Sequence, residues 1–219
     1  MLWAADASAQ LSSGIHFGVM GGFTSTNTKI SEGFDYKNVS LFHVGLTAKF
    51  GLGAGFAIQP SLTYQMKGTE LRTATESTEA AVEAFKKLDA KVGYLELPLQ
   101  IQWGPDLMAL RPYVFAEPFV GYAVNFNAEA TDGNQDVVQS LKNQWNEFSV
   151  NRLEYGVGFG GGIEVNHFQI SAQWFMNLGN LADENGKVDA SVIGQTVQDN
   201  MKDWKKNFQG FKLSLAVLF

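Results

Sequence analysis

The chain has 219 residues, a formal net charge of −6 and no cysteine. That length suits one undivided β domain, since such folds routinely run to about 200–250 residues. The acidic balance argues against a nucleic-acid partner, and the absence of cysteine excludes disulfides and cysteine-based zinc or redox sites. Charged residues make up only 17% and aromatic residues 13%. Soluble domains carry roughly 25% charged residues, so part of this surface is expected to face something other than water. No stretch approaches the roughly 18 uninterrupted apolar residues of a membrane helix. A bilayer crossing therefore requires a closed barrel, because an open sheet leaves backbone groups unpaired in lipid.

In chain order, Ala7-Ser8-Ala9 before Gln10 has the form of a small-residue cleavage site behind a short apolar scrap. Residues 1–9 are expected to be the tail of an export signal or a disordered N-terminus, with one barrel domain over residues 10–219. Strict alternation then predicts a strand over residues 15–24, with Ile15, Phe17, Val19 and Phe23 on one face. A polar stretch, 25–38, precedes a second strand over 40–50 (Phe42, Val44, Leu46, Phe50). The short turn 51–53 leads into a third over 54–67, where Phe56, Ile58, Pro60, Leu62, Tyr64 and Met66 oppose Ala57, Gln59, Ser61, Thr63, Gln65 and Lys67.

Residues 68–91 read as a long connection with a helical stripe of Ala81, Phe85 and Leu88. The fourth strand, 92–103, sets Leu95, Leu97, Leu99, Ile101 and Trp103 against Glu96, Gln100 and Gln102. After the link 104–111 comes a fifth, in which Val114, Val120 and Tyr122 oppose Tyr113, Phe115, Glu117 and Phe119. Residues 127–149 form a second long connection with Val137, Leu141, Trp145 and Phe148 at helical spacing.

The sixth strand, 150–165, alternates Leu153, Tyr155, Val157, Phe159 and Ile163 with Arg152, Glu154, a run of glycines and Glu164. Asn166-His167 forms a tight turn to the seventh, 168–178. A third helical stripe (Ile193, Val197, Met201, Trp204) lies in the connection 179–207. The eighth strand runs from 208 to Phe219 and ends on that aromatic residue. Pro60 and Pro118 fall inside strands, where each removes a ladder donor, and bulges or register breaks are expected there.

Eight strands of about 9–11 residues suit tilted bilayer crossing, and their connections alternate long and short. With both termini at one rim, the short turns share that rim and the long loops the other, as in outer-membrane barrels. The predicted fold is an all-β, eight-stranded, antiparallel up-and-down transmembrane barrel with short helices in its extracellular loops. A soluble lipocalin-like barrel, with its apolar face lining a ligand cavity, would alternate too. The polar face decides between them. It is mostly Gly, Ala, Ser, Thr and Gln rather than the dense Lys and Glu of a wetted exterior, so it is assigned to a narrow lumen. The bulky face is assigned to lipid, with Trp103, Trp174, Tyr64, Tyr122 and Tyr155 as interfacial aromatics.

The segment Tyr94-Leu95-Glu96-Leu97-Pro98-Leu99-Gln100-Ile101 resembles the "YLEIPL" strand of the PorT-like outer-membrane barrels of the Bacteroidetes. Gly18-Val19-Met20-Gly21-Gly22-Phe23 and the late glycine-rich strand are similar to that family as well. The resemblance implies a bacterial outer-membrane barrel and marks architecture more than activity.

The charges assigned to the lumen are Lys49, Lys67, Arg152 and Lys212 against Glu96, Glu117, Glu154 and Glu164. Equal numbers of each sign are what a low-dielectric interior demands. They are read as a paired network plugging the tube, with a proton or ion path as the functional alternative. His16, His43 and His167 share no metal-ligand spacing, so neither metal nor cofactor is expected. His43 with Ser40 and a loop carboxylate is the one conceivable hydrolytic set, and no motif supports it. Gly156-Val157-Gly158-Phe159-Gly160-Gly161 matches a dinucleotide-loop pattern in form only, since alternation continues through it and no helix follows. Lys202, Lys205 and Lys206 form a basic cluster, a candidate contact for lipopolysaccharide phosphates. The expected role is non-catalytic, either structural or binding, with membrane lipid, lipopolysaccharide and an envelope protein reached through the loops as partners. A narrow passive channel and a soluble binder of an apolar molecule are the alternatives.

Overall fold

The computed structural model describes residues 13–27, 34–37, 39–73, 87–107, 110–131, 152–179 and 209–219. Nine strands form one antiparallel sheet: β1 (Ser13–Asn27), β2 (Phe34–Lys37), β3 (Val39–Gly53), β4 (Phe56–Thr73), β5 (Lys87–Trp103), β6 (Leu110–Thr131), β7 (Leu153–Val165), β8 (Phe168–Gly179) and β9 (Gln209–Leu218). Eight of them close a barrel in the order β4-β3-β1-β9-β8-β7-β6-β5, with β5 pairing back onto β4. Closure by the terminal strand satisfies both edges of the sheet. At the short-turn rim the first and last strands are tied by Phe17 N to Phe219 O at 3.1 Å and Phe219 N to Phe17 O at 2.7 Å.

The turns at this rim follow from local chemistry. Between β3 and β4, Ala54 (φ 50°) and Gly55 (φ 81°) both adopt left-handed backbone, as a tight hairpin with matched twist requires. A Cβ on Gly55 would lie 2.5 Å from the Gly104 carbonyl oxygen, so glycine also permits a close approach of the next hairpin. Asn166, at φ 52°, makes the turn from β7 to β8, a conformation asparagine tolerates better than most residues.

Exposure separates the two faces of each strand. Phe17, Leu46, Phe56, Leu97, Phe159 and Phe211 are all among the exposed large side chains. Gln59, Gln65, Gln102, Lys49, Lys67 and Glu96 are buried. The apolar rings therefore point away from the tube and the polar set fills it. The glycines of β7 serve that filling. A Cβ on Gly156 would lie 2.3 Å from Phe119 Cζ, one on Gly158 1.8 Å from Gln173 Nε2, and one on Gly160 2.6 Å from Phe115 Cζ.

Several expectations are corrected. The sheet has a ninth strand, β2, within the stretch expected to be loop, and it pairs with the far end of β4 from Phe34↔Thr73 to Lys37↔Glu70. β4, β5 and β6 run past the points where apolar alternation stops, joined by Arg72↔Lys87 and Lys87↔Thr131. Outside an apolar surrounding neither face needs to be greasy, so backbone pairing continues without a sequence signal. Leu88, assigned to a helical stripe, pairs as a strand residue with Leu71 and Ala130. No described element is a helix; the other two stripes, residues 1–9 and Lys202, Lys205 and Lys206 lie outside the described residues.

The prolines shift no register. Pairing skips residues 48–49 opposite 59–60, then resumes in the same register, because proline removes one donor without inserting a residue. The observed shifts fall instead at Gly51/Gly53, Gly93/Tyr94 and Tyr155/Gly156. Tyr155 is in register with outward Val120 yet only 7% exposed, so it is not an exposed interfacial ring.

Candidate functional site

Inward residues of all eight barrel strands meet in the lumen, and their charges fall into three levels. At the short-turn rim, Arg111 and Glu164 stand opposite each other on β6 and β7. Lys49 Nζ reaches Glu164 Oε1 at 2.5 Å and Oε2 at 2.7 Å, and Arg111 approaches Oε2 at 3.4 Å. Gln169 Nε2 donates to the same Oε2 at 2.8 Å. Arg111 also donates to Gln102 Oε1 and to the Gly55 carbonyl, both at 3.0 Å, which ties the network to the β3–β4 turn.

Glu117 occupies the middle level. Its carboxylate accepts from Gln100 Nε2 at 2.7 Å, Gln173 Nε2 at 2.9 Å and Lys212 Nζ at 2.9 Å. Side chains of three other strands thus converge on one buried carboxylate. Nearby, His43 lies between two hydroxyls, with Thr24 Oγ1 at 3.0 Å from Nδ1 and Ser214 Oγ at 2.9 Å from Nε2. Ser40, weighed as its partner, is exposed while His43 is buried, on the opposite face of β3.

At the long-loop side, Lys67 Nζ contacts Glu154 Oε1 at 2.5 Å and Glu96 Oε1 at 2.7 Å. Asn177 donates to the other oxygen of Glu154. The Lys67 ammonium lies 4.5 Å from the Phe119 ring centroid, 5.0 Å from Tyr94 and 5.3 Å from Phe175, distances at which cation–π attraction operates. Phe119 and Phe175 meet edge to face at 6.3 Å and are also within 5.9 and 5.3 Å of the Lys212 ammonium. Phe119 sits on β6 between Glu117 and Gly121, the residue in register with both Glu96 and Glu154. The ring pair therefore separates the middle level from the upper one.

Among the described residues the buried ionic side chains are Lys49, Lys67, Arg111 and Lys212 against Glu96, Glu117, Glu154 and Glu164. The structure brings seven of the eight expected lumen charges into these contacts. Arg152 lies half-buried just before β7, with its backbone carbonyl accepting from Ala123 N at 2.8 Å. Arg111 joins the network as well. It falls in the expected link 104–111, but it shares the alternation of Tyr113, Phe115 and Glu117, and extending that parity backward finds it. Inward aromatic residues were legible in the same way, without any sign that Phe119 and Phe175 would cap two ammonium groups. No cluster of three or more metal-binding side chains occurs among the described residues.

Residues 6–183 match the outer membrane protein beta-barrel domain family. The chain belongs to that family. It is accordingly a protein of the bacterial outer membrane. No curated protein matches the sequence. Among solved structures, the chain is similar to Neisserial surface protein A at 13% identity, covering 94% of this chain and 100% of that one with a TM-score of 0.43. It is also similar to the attachment invasion locus protein of Yersinia pestis bound to the heparin analogue sucrose octasulfate, at 9% identity, 94% and 99% coverage and a TM-score of 0.41. Outer membrane protein W of E. coli is 16% identical, with 94% and 99% coverage and a TM-score of 0.38.

Proposed function

We propose that this outer-membrane barrel is a closed, non-catalytic scaffold. Its apolar belt faces lipid, and its work is done by the long connections on the rim opposite the short turns. The observation that carries this reading is the filled lumen. Four cations and four carboxylates are buried there, and the ring pair of Phe119 and Phe175 stands between two of its levels. Such a tube offers no aqueous path, and a ligand would have to displace buried ion pairs to enter it. Loops on a rigid scaffold are the usual carriers of binding, which favours a surface ligand or an envelope protein as the partner. The PorT-like affiliation suggested by residues 94–101 belongs to this reading, as does a lipopolysaccharide contact through Lys202, Lys205 and Lys206.

Planar-bilayer recording on the refolded chain tests closure. The expected result is no stepwise conductance above the bare membrane. Reproducible open steps would favour the passive-channel alternative.

A further inference from the structure

Below the ring pair, the amides of the lumen are bonded to their neighbours. Gln100 and Gln173 donate to Glu117, and Gln102 donates to Gln59. The upper level breaks this pattern on one side. Thr63 Oγ1, Gln65 Nε2 and both oxygens of Glu96 have no hydrogen-bond partner in the protein, although these residues are only 3%, 1% and 0% exposed. The Lys67 ammonium lies 2.7 Å from Glu96 Oε1, an ion pair that leaves other lone pairs of the carboxylate open.

The ladder gathers these atoms at one place. Thr63 and Glu96 are in register on β4 and β5, and Gln65 follows Thr63 on the same face, opposite Tyr94. Side chains in register on one face start about 4.5–5.5 Å apart, a separation that one water molecule can bridge between polar ends. Two glycines leave room beside them. Gly45 is in register with Thr63 on the β3 side, and a Cβ there would lie 2.6 Å from Thr63 Cγ2. The Thr63 methyl is therefore turned toward β3, and its hydroxyl takes a different staggered position. Gly121 faces Glu96 from β6, where a Cβ would come within 3.1 Å of Glu96 Cγ.

Bare buried donors and acceptors are costly, and folded proteins pair nearly all of them with protein groups or enclosed water. The three side chains are chemically complementary to water. Gln65 offers an amide N–H, Glu96 offers lone pairs, and the Thr63 hydroxyl can donate or accept. A cation is disfavoured by the Lys67 ammonium already beside Glu96. We propose that Thr63, Gln65 and Glu96 form a buried water site at the upper level of the lumen. The water accepts from Gln65 Nε2, donates to the Glu96 carboxylate and takes the Thr63 hydroxyl as third partner, the usual number for an enclosed water. The ring pair of Phe119 and Phe175 stands between this level and the one below, so the water is held rather than conducted.

The test uses the full chain refolded in detergent micelles, deuterated except for labelled threonine methyl groups. Thr63→Ser, which keeps the hydroxyl and deletes the methyl, assigns the Thr63 signal. A nuclear Overhauser cross-peak between water and that methyl is expected. It should be several-fold stronger than at Thr26 and Thr47, whose hydroxyls donate to backbone carbonyls. Urea titration supplies an independent sign. Thr63→Val and Gln65→Met remove polar atoms at nearly constant volume. With water in place, each should lower the folding equilibrium constant by about threefold to tenfold, because a bonded group is lost. In a dry site each would delete a bare polar atom and raise that constant instead. Absence of the cross-peak at Thr63 would overturn the proposal, and so would both variants at or above wild-type stability. Where a variant fails to fold, the cross-peak decides alone.

Discussion

Gly158 and Phe159 are neighbours on β7 and live under opposite rules. Phe159 is 52% exposed on the outer wall, while the place a Gly158 side chain would take is filled by the amide of Gln173. The same contrast runs around the barrel. Outside, bulk and apolarity are wanted and exact shape matters little, because fluid lipid tails adapt to any outline. Inside, charge must be matched residue by residue and volume atom by atom, because nothing in a closed tube relaxes to fill a gap. A water-soluble protein reverses the polarity of the two walls but keeps the demand for exact packing on the inside.

Perturbing the inner wall should give the largest effect. Glu117→Ala leaves Lys212 buried without its carboxylate and should cost about 3–5 kcal/mol in urea unfolding of the refolded barrel. Replacing both partners by leucine should recover at least half of that loss, the remainder reflecting the amides of Gln100 and Gln173 left without an acceptor. Next comes charge on the outer wall. Leu97→Arg, at a position 57% exposed, should cost about 2–4 kcal/mol in a lipid bilayer and much less in a polar detergent shell. Equal costs in the two media would break the distinction between the walls.

Smaller effects sharpen it. Gly156→Ala puts a methyl 2.3 Å from both the Met176 carbonyl oxygen and Phe119 Cζ, an overpacking worth about 1–3 kcal/mol in the same titration. Gly161→Ala lies on the outer wall of the same strand, where the nearest atom is the Tyr113 carbonyl oxygen at 3.3 Å. It should stay within about 0.5 kcal/mol of wild type.

Where a wall separates two unlike surroundings, the sequence announces it. Leu95 to Trp103 and Phe211 to Phe219 display the alternation openly, and parity alone sends Lys49, Lys67, Glu96 and Glu117 inward. Past the apolar belt the signal ends before the strand does, which is why the upper parts of β4, β5 and β6 and the short β2 resemble loop in the sequence. Pro60 misled in another way. Its lost donor suggested a break, yet the ladder on either side holds its register. Partner choice was the least legible feature. Nothing local shows that Arg111 reaches Glu164, because which cation meets which carboxylate depends on barrel stagger rather than on strand pattern.

The chain contains no cysteine, so single thiols can report on each wall without background. Serine-to-cysteine changes at Ser61 and Ser171, both 8% exposed, sample the lumen at nearly constant volume. Leu97→Cys and Phe159→Cys sample the outer wall. In lipid vesicles carrying a membrane-confined fluorescence quencher, probes attached before refolding at positions 97 and 159 should be quenched. Thiols at 61 and 171 should resist water-soluble maleimide until the barrel is unfolded. Rapid aqueous labelling at 61 and 171, together with unquenched probes at 97 and 159, would contradict an outward apolar wall around a closed, charge-matched lumen.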